Sequence, residues 1–180
     1  MEKDHQDSKG NYGRFFVMIG LSMVLMYFTT YLNSIKILDH FRFSETRLFM
    51  TLIMGSVMTV VMLLFMRKMY RNKKANIAIF VGAAIVFLAG LILVRSQITV
   101  SEVDYMEAMI PHHSIAILTS DRAQIEDLRV RELADEIILA QRREIKEMEW
   151  LIDDIRLNGE ARTKADAEDR AVPDFSATLD

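Results

Sequence analysis

The chain has 180 residues, a net charge of −3, no cysteine and 13 methionines. Without cysteine there is no disulfide, no thiolate metal site and no cysteine nucleophile, and the slightly negative balance marks no nucleic-acid partner. So many methionines are either flexible apolar filler or a supply of thioethers, which suit soft ions such as Cu(I).

Residues 1–14 are polar. Three runs free of charged residues follow, at 15–35, 48–66 and 75–94. Each is close to the roughly 20 helical residues that cross a bilayer, so residues 15–94 are predicted to form a membrane domain of three helices. The first run is too long for a signal peptide and no small-residue cleavage site follows it. Lys3, Lys9 and Arg14 lie on one predicted side with Arg67, Lys68, Arg71, Lys73 and Lys74. Lys36, Arg42, Arg47 and Arg95 lie on the other. The excess of positive charge predicts a cytoplasmic N-terminal segment, and a periplasmic or extracellular position for everything after Val94. The chain therefore reads as an integral protein of the inner or plasma membrane, with membrane lipid as one partner.

In the second run, Met50, Met54, Met58, Met62 and Met66 recur every four residues. On a helix that spacing drifts by about 40° per step and gives a slanted stripe. It is either a filler of helix contacts or a thioether track for a soft metal. Copper transporters of the Ctr family also have three spans with methionines four apart in the second, and the resemblance to them stops there.

Residues 100–157 change character to a charged, helix-patterned hairpin. Ser101 with Asp104 three positions on reads as a capped helix start, and the helix runs to about Ser120. A polar turn near 121–126 leads to a second helix over about 127–157, stopped by Asn158-Gly159. Ala134, Ile137, Gln141, Glu144, Met148, Leu151 and Ile155, spaced three and four apart, predict one seam on the second helix. Gln141 and Glu144 sit mid-seam, and a buried carboxylate needs a partner. In an antiparallel hairpin the middle of the first helix faces them: the stretch Met109-Ile110-Pro111-His112-His113-Ser114. His113 shares a face with Met106, Ile110 and Ile117. Neighbouring helical side chains point about 100° apart, so His112 and His113 do not serve one site equally. Met109, His112, His113, Glu144 and Met148 form the candidate metal set, with Gln141 and Asp104 as orienting groups. Asp39 and His40 lie on the same predicted side and are further candidates. The competing reading is a structural His113–Glu144 ion pair.

The segment from Asp104 to Leu151 resembles the helical family catalogued as "domain of unknown function 305". The resemblance rests on Asp104, the run 109–113, Ala116, Leu133-Ala134, Gln141, Glu144-Ile145, Met148 and Trp150-Leu151. It implies a ferritin-like helical fold and an association with copper binding and resistance. Members often repeat the hairpin to make a four-helix bundle, whereas this chain has one hairpin. A bundle between subunits, in a homodimer or higher homo-oligomer, is therefore expected. A methionine common in the family five residues after the second histidine is Leu118 here. The di-iron Glu-x-x-His pattern is absent, so iron oxidation does not carry over.

Together these features predict an all-α protein of three transmembrane helices and an extramembrane hairpin, with a polar, disordered or docking tail at 158–180. They predict a binding protein for copper rather than an enzyme, with Cu(I) favoured and Cu(II) or Zn as alternatives. The other readings are copper transport along the methionine stripe, and a metal-free oligomerisation scaffold with a pH-sensitive His–Glu pair.

Overall fold

The computed structural model describes residues 2–36 and 38–179, and the side chains of 12–36 and 38–179. The side chains of Lys3 and Lys9, part of the predicted charge bias, lie outside these. The described residues are all-helical, with α1 Glu2–Thr29, α2 Glu45–Phe65, α3 Lys73–Ser96, α4 Glu102–Arg122, α5 Leu128–Asn158 and α6 Lys164–Asp169. They divide into two units, residues 1–30 with 45–99, and residues 31–44 with 100–180.

In the first unit, α1 from Tyr12, α2 and α3 are each long and apolar enough to cross a membrane. Helix α2 packs against both α1 and α3. Close approach rests on small residues: a Cβ built on Gly90 of α3 would lie 2.9 Å from Ile53 Cγ1 and 3.4 Å from the Phe49 carbonyl oxygen of α2. The buried face of α2 is Phe49, Thr51, Gly55, Ser56, Thr59 and Leu63. The methionine stripe crosses this face obliquely and splits. Met58, Met62 and Met66 pack against a cluster of Phe15, Ile19, Leu63 and Tyr70, while Met50 and Met54 point outward. A groove of about 760 Å³ between the three helices is lined by Tyr12, Met23, Gly55 and Gly82 among others, and by none of the five stripe methionines.

The second unit is built on the antiparallel hairpin α4–α5. Ser101 and Asp104 form the expected capping box, which satisfies backbone donors at the start of α4. Helix α4 runs unbroken through the buried Pro111. Cross-hairpin contacts fix the pairing: Arg156 to Glu107 at 2.7 Å, and Arg131 Nη1 donating to the Ser120 carbonyl at 2.9 Å, where α4 leaves carbonyls without helical partners. The core holds Met106, Ile110, Ile117, Ile138, Ile145, Met148 and Ile152.

Three features depart from the sequence expectations. The first span was expected to reach Ile35, but α1 ends at Thr29 and Tyr31–Ile35 belongs to the hairpin unit. Tyr31 is buried, donates its hydroxyl to the Arg42 carbonyl at 2.6 Å and stacks on Phe41. Ile35 packs on the hairpin core, and its N–H donates to Ser114 Oγ at 2.9 Å. Tyr31 and Ile35 are thus used on protein, while Leu32 between them is exposed. The second departure follows from the first. With the 31–44 loop seated on one side of the hairpin, the buried arc of α5 rotates towards Ala134, Ile138, Ile145, Met148 and Ile152, and Ile137 and Glu144 move from mid-seam to its other edge. The third is the tail. Residues 164–169 form a short helix, Arg170 pairs with Asp154 at 2.6 Å, and Arg142 and Lys146 donate to the carbonyls of Thr178 and Ser176. Basic side chains on α5 hold the tail's main chain, a signal that composition does not carry.

Candidate functional site

Residue 113 of α4 and residue 144 of α5 meet across the hairpin because antiparallel pairing brings the two helix middles together. His113 Nδ1 lies 3.3 Å from Glu144 Oε2. The nitrogen is buried and makes no hydrogen bond, since the carboxylate lies off the direction in which a ring N–H would donate. Glu144 Oε2 also accepts from Gln141 Nε2 at 3.4 Å, one turn back on the same helix. The His113 side chain is 12% exposed and that of Glu144 38% exposed, so one edge of the pair reaches solvent. Burial holds the His113 imidazole below its ordinary value of 6.5. Glu144 pulls the other way and His112 adds to the lowering. At neutral pH the ring is uncharged, the form that ligates metal.

Met109 sits one turn before His113 and Met148 one turn after Glu144. The antiparallel register that joins 113 to 144 brings this second pair to the same level. Met148 belongs to the core, and Met109 packs against it. His112 is exposed, its ring centre 6.3 Å from that of His113. Asp104 is committed to the capping box and lies nine residues from His113, about 13 Å along the helix.

A buried ring nitrogen without a partner, beside a carboxylate, fits a cation. Two ligands each about 2.0–2.1 Å from a tetrahedral ion stand roughly 3.3 Å apart, which is the separation found here. Among the described residues, however, no group of three or more histidine, aspartate or glutamate side chains is gathered for a metal ion. One chain supplies one imidazole, one carboxylate and neighbouring thioethers.

The loop carries a second buried histidine. His40 lines a cavity of about 490 Å³ with Lys36, Asp39, Arg142, Lys146 and Glu149 among others, and its Nδ1 has no hydrogen-bond partner. Glu149 is about 140° round α5 from Glu144, so His40 and Asp39 join the hairpin unit on a different face from His113. Burial lowers the His40 value below 6.5. Glu149 and Asp39 oppose this, and Lys36 and Arg42 reinforce it. The sign follows: between 6.5 and the lower folded value the unfolded chain binds more protons, so stability is full above 6.5 and declines as pH falls below it. The thermal midpoint of the protein in chelator is expected to drop between pH 7.5 and 5.5, and a His40→Gln variant to show a shallower drop. Equal slopes for the two proteins would remove His40 from the account.

Residues 102–176 match the model of the family described as "Domain of unknown function (DUF305)". The chain is also 27% identical over 146 residues to "Uncharacterized protein L153" of Acanthamoeba polyphaga mimivirus, covering 78% of this chain and 94% of that protein. An alignment of that length extends well beyond residues 102–176. No solved structure matches the chain.

Proposed function

We propose, from the premise that residues 102–176 belong to the DUF305 family, that this hairpin is the metal-binding part of a membrane-anchored copper-handling protein. The observation that carries the reading is the buried, unpartnered Nδ1 of His113 at 3.3 Å from Glu144. His113 and Glu144 would hold the ion, Met109 and Met148 would supply thioethers, and Gln141 would orient the carboxylate. Thioethers favour Cu(I), with Cu(II) or Zn as the alternatives for an imidazole–carboxylate pair. The anchor is the three apolar helices, and the charge bias of the loops supports a hairpin on the outer side of the membrane. No catalytic step is assigned.

The test is metal analysis of the purified full-length protein after loading with Cu(I), Cu(II) or Zn, beside a His112→Ala, His113→Ala double variant. Near-stoichiometric copper in the wild type and its loss in the variant are expected. If neither protein retains metal, the second reading takes over, in which the His113–Glu144 contact is a pH-sensitive pair that holds the hairpin.

A further inference from the structure

Helices α1 and α3 both pack on α2 and leave between them the apolar groove of about 760 Å³. The groove belongs wholly to the first unit, and the metal-binding reading of the hairpin plays no part in it. Its walls run from Tyr12 to Met23 on α1 and from Ala75 to Val86 on α3, about 16 Å along each helix at about 1.5 Å per residue. That is half of a bilayer core of about 30 Å. On the α2 side, Ser56 and Thr59 donate their hydroxyls to the carbonyls of Ile53 and Gly55 on their own helix, each at 2.7 Å. These groups therefore ask for no polar partner from the groove. At one end Tyr12 donates its hydroxyl to Asn76 Oδ1 at 2.6 Å and bridges α1 to α3. Asn72 lines the same end and stands between Arg71 and Lys73. The exposed cations Arg67, Lys68, Arg71, Lys73 and Lys74 occupy the segment around it, while residues 46–101 hold no aspartate or glutamate.

We propose that this groove holds one acyl chain of an anionic phospholipid, with its phosphate set against the basic segment 67–74 and its second chain left in the bilayer. Three observations select this occupant. The groove is as long as one leaflet, the reach of an acyl chain, whereas a further helix crossing the membrane needs the full width. Its lining is apolar and its hydroxyls are already bonded, so hydrocarbon fits and a polar ligand would leave its own groups unpaired. The cations at its polar end have no acidic residue near them in the 46–101 stretch, and a cluster of about four to eight Lys and Arg beside a span attracts anionic headgroups. A zwitterionic lipid offers the same chain but brings its own cation to the basic segment. Gly82 is where the groove can be closed. A Cβ built there meets nothing within 4 Å, so a larger side chain enters the space without displacing protein.

The full-length protein in detergent is stripped of lipid, and native mass spectrometry follows its binding of phosphatidylglycerol and of phosphatidylcholine with the same chains. The wild type is expected to take up about one phosphatidylglycerol per chain, about tenfold more tightly than phosphatidylcholine. Gly82→Leu, which also favours the helix, should keep its circular dichroism and bind both lipids about tenfold more weakly or worse, because the chain loses its buried area. Arg71→Gln combined with Lys73→Gln should still bind lipid but lose most of the preference for the anionic one. Val81→Phe adds bulk to an exposed position of α3 outside the groove and should behave as the wild type. Equal binding of the two lipids by the wild type, or full binding by Gly82→Leu, would overturn the site. So would a loss in Val81→Phe as large as in Gly82→Leu, the result expected of lipid spread over the whole apolar surface. A lipid-free wild-type dimer that Gly82→Leu separates would give the groove to a helix of a second copy, and overturn it too. Should Gly82→Leu lose its helical signal, the charge variant decides instead, and an unchanged preference overturns the proposal.

Discussion

His113→Ala should lower copper affinity by about 100-fold or more, while His112→Ala should change it by only a few-fold. The difference follows from where the two rings stand. His113 is nearly buried, its Nδ1 has no other partner and Glu144 is 3.3 Å away. On the proposed metal-binding reading, removing it deletes a ligand and leaves the carboxylate alone at the seam edge. His112 is turned to solvent, and losing it removes no buried donor. Glu144→Gln keeps the shape and an acceptor oxygen but removes the negative charge that balances the cation, so a loss between the two is expected. Gln141→Ala releases the orientation of Glu144 and belongs to the 10–100-fold range typical of groups that position a ligand. Competition titrations against a chelator of known affinity read all four variants on one scale. Equal losses for the two histidine variants would mean that the hairpin presents its ligands in some other arrangement.

The largest effect on stability is expected from Ile110→Ala. Ile110 is fully buried, at the centre of a cluster fed by both hairpin helices. Truncation removes apolar contact and leaves a cavity that α4 cannot close, since Pro111 beside it is also fully buried. Changes of this kind cost about 2–5 kcal/mol, a large fraction of what a small domain has in reserve. Trp150, the single tryptophan, lies on α5 and reports the transition by fluorescence. Leu157→Ala is the control: Leu157 is exposed and its loss should shift the transition by less than about 0.5 kcal/mol. A shift as small as that for Ile110→Ala would mean that the two helices are not held by this cluster.

The sequence by itself determined the helical class, three apolar spans, the hairpin with its capped start and glycine stop, and the meeting of residue 113 with residue 144. Each is a local signal. Apolar run length, cap chemistry and three–four spacing act within a few turns, and antiparallel pairing then fixes which residues stand opposite. Only the tertiary structure decided where the first span stops, because hydropathy scores burial against protein and burial in lipid alike, and Tyr31 and Ile35 pack against protein. It also decided the true buried arc of α5. Periodicity says that one side of a helix is apolar but not what covers it. The 31–44 loop occupies one flank, draws Ile138 and Ile145 inward and leaves Ile137 and Glu144 at the opposite edge. That shift by part of a turn puts His40 on the loop's side of the hairpin and leaves the His113–Glu144 contact at the edge of the seam.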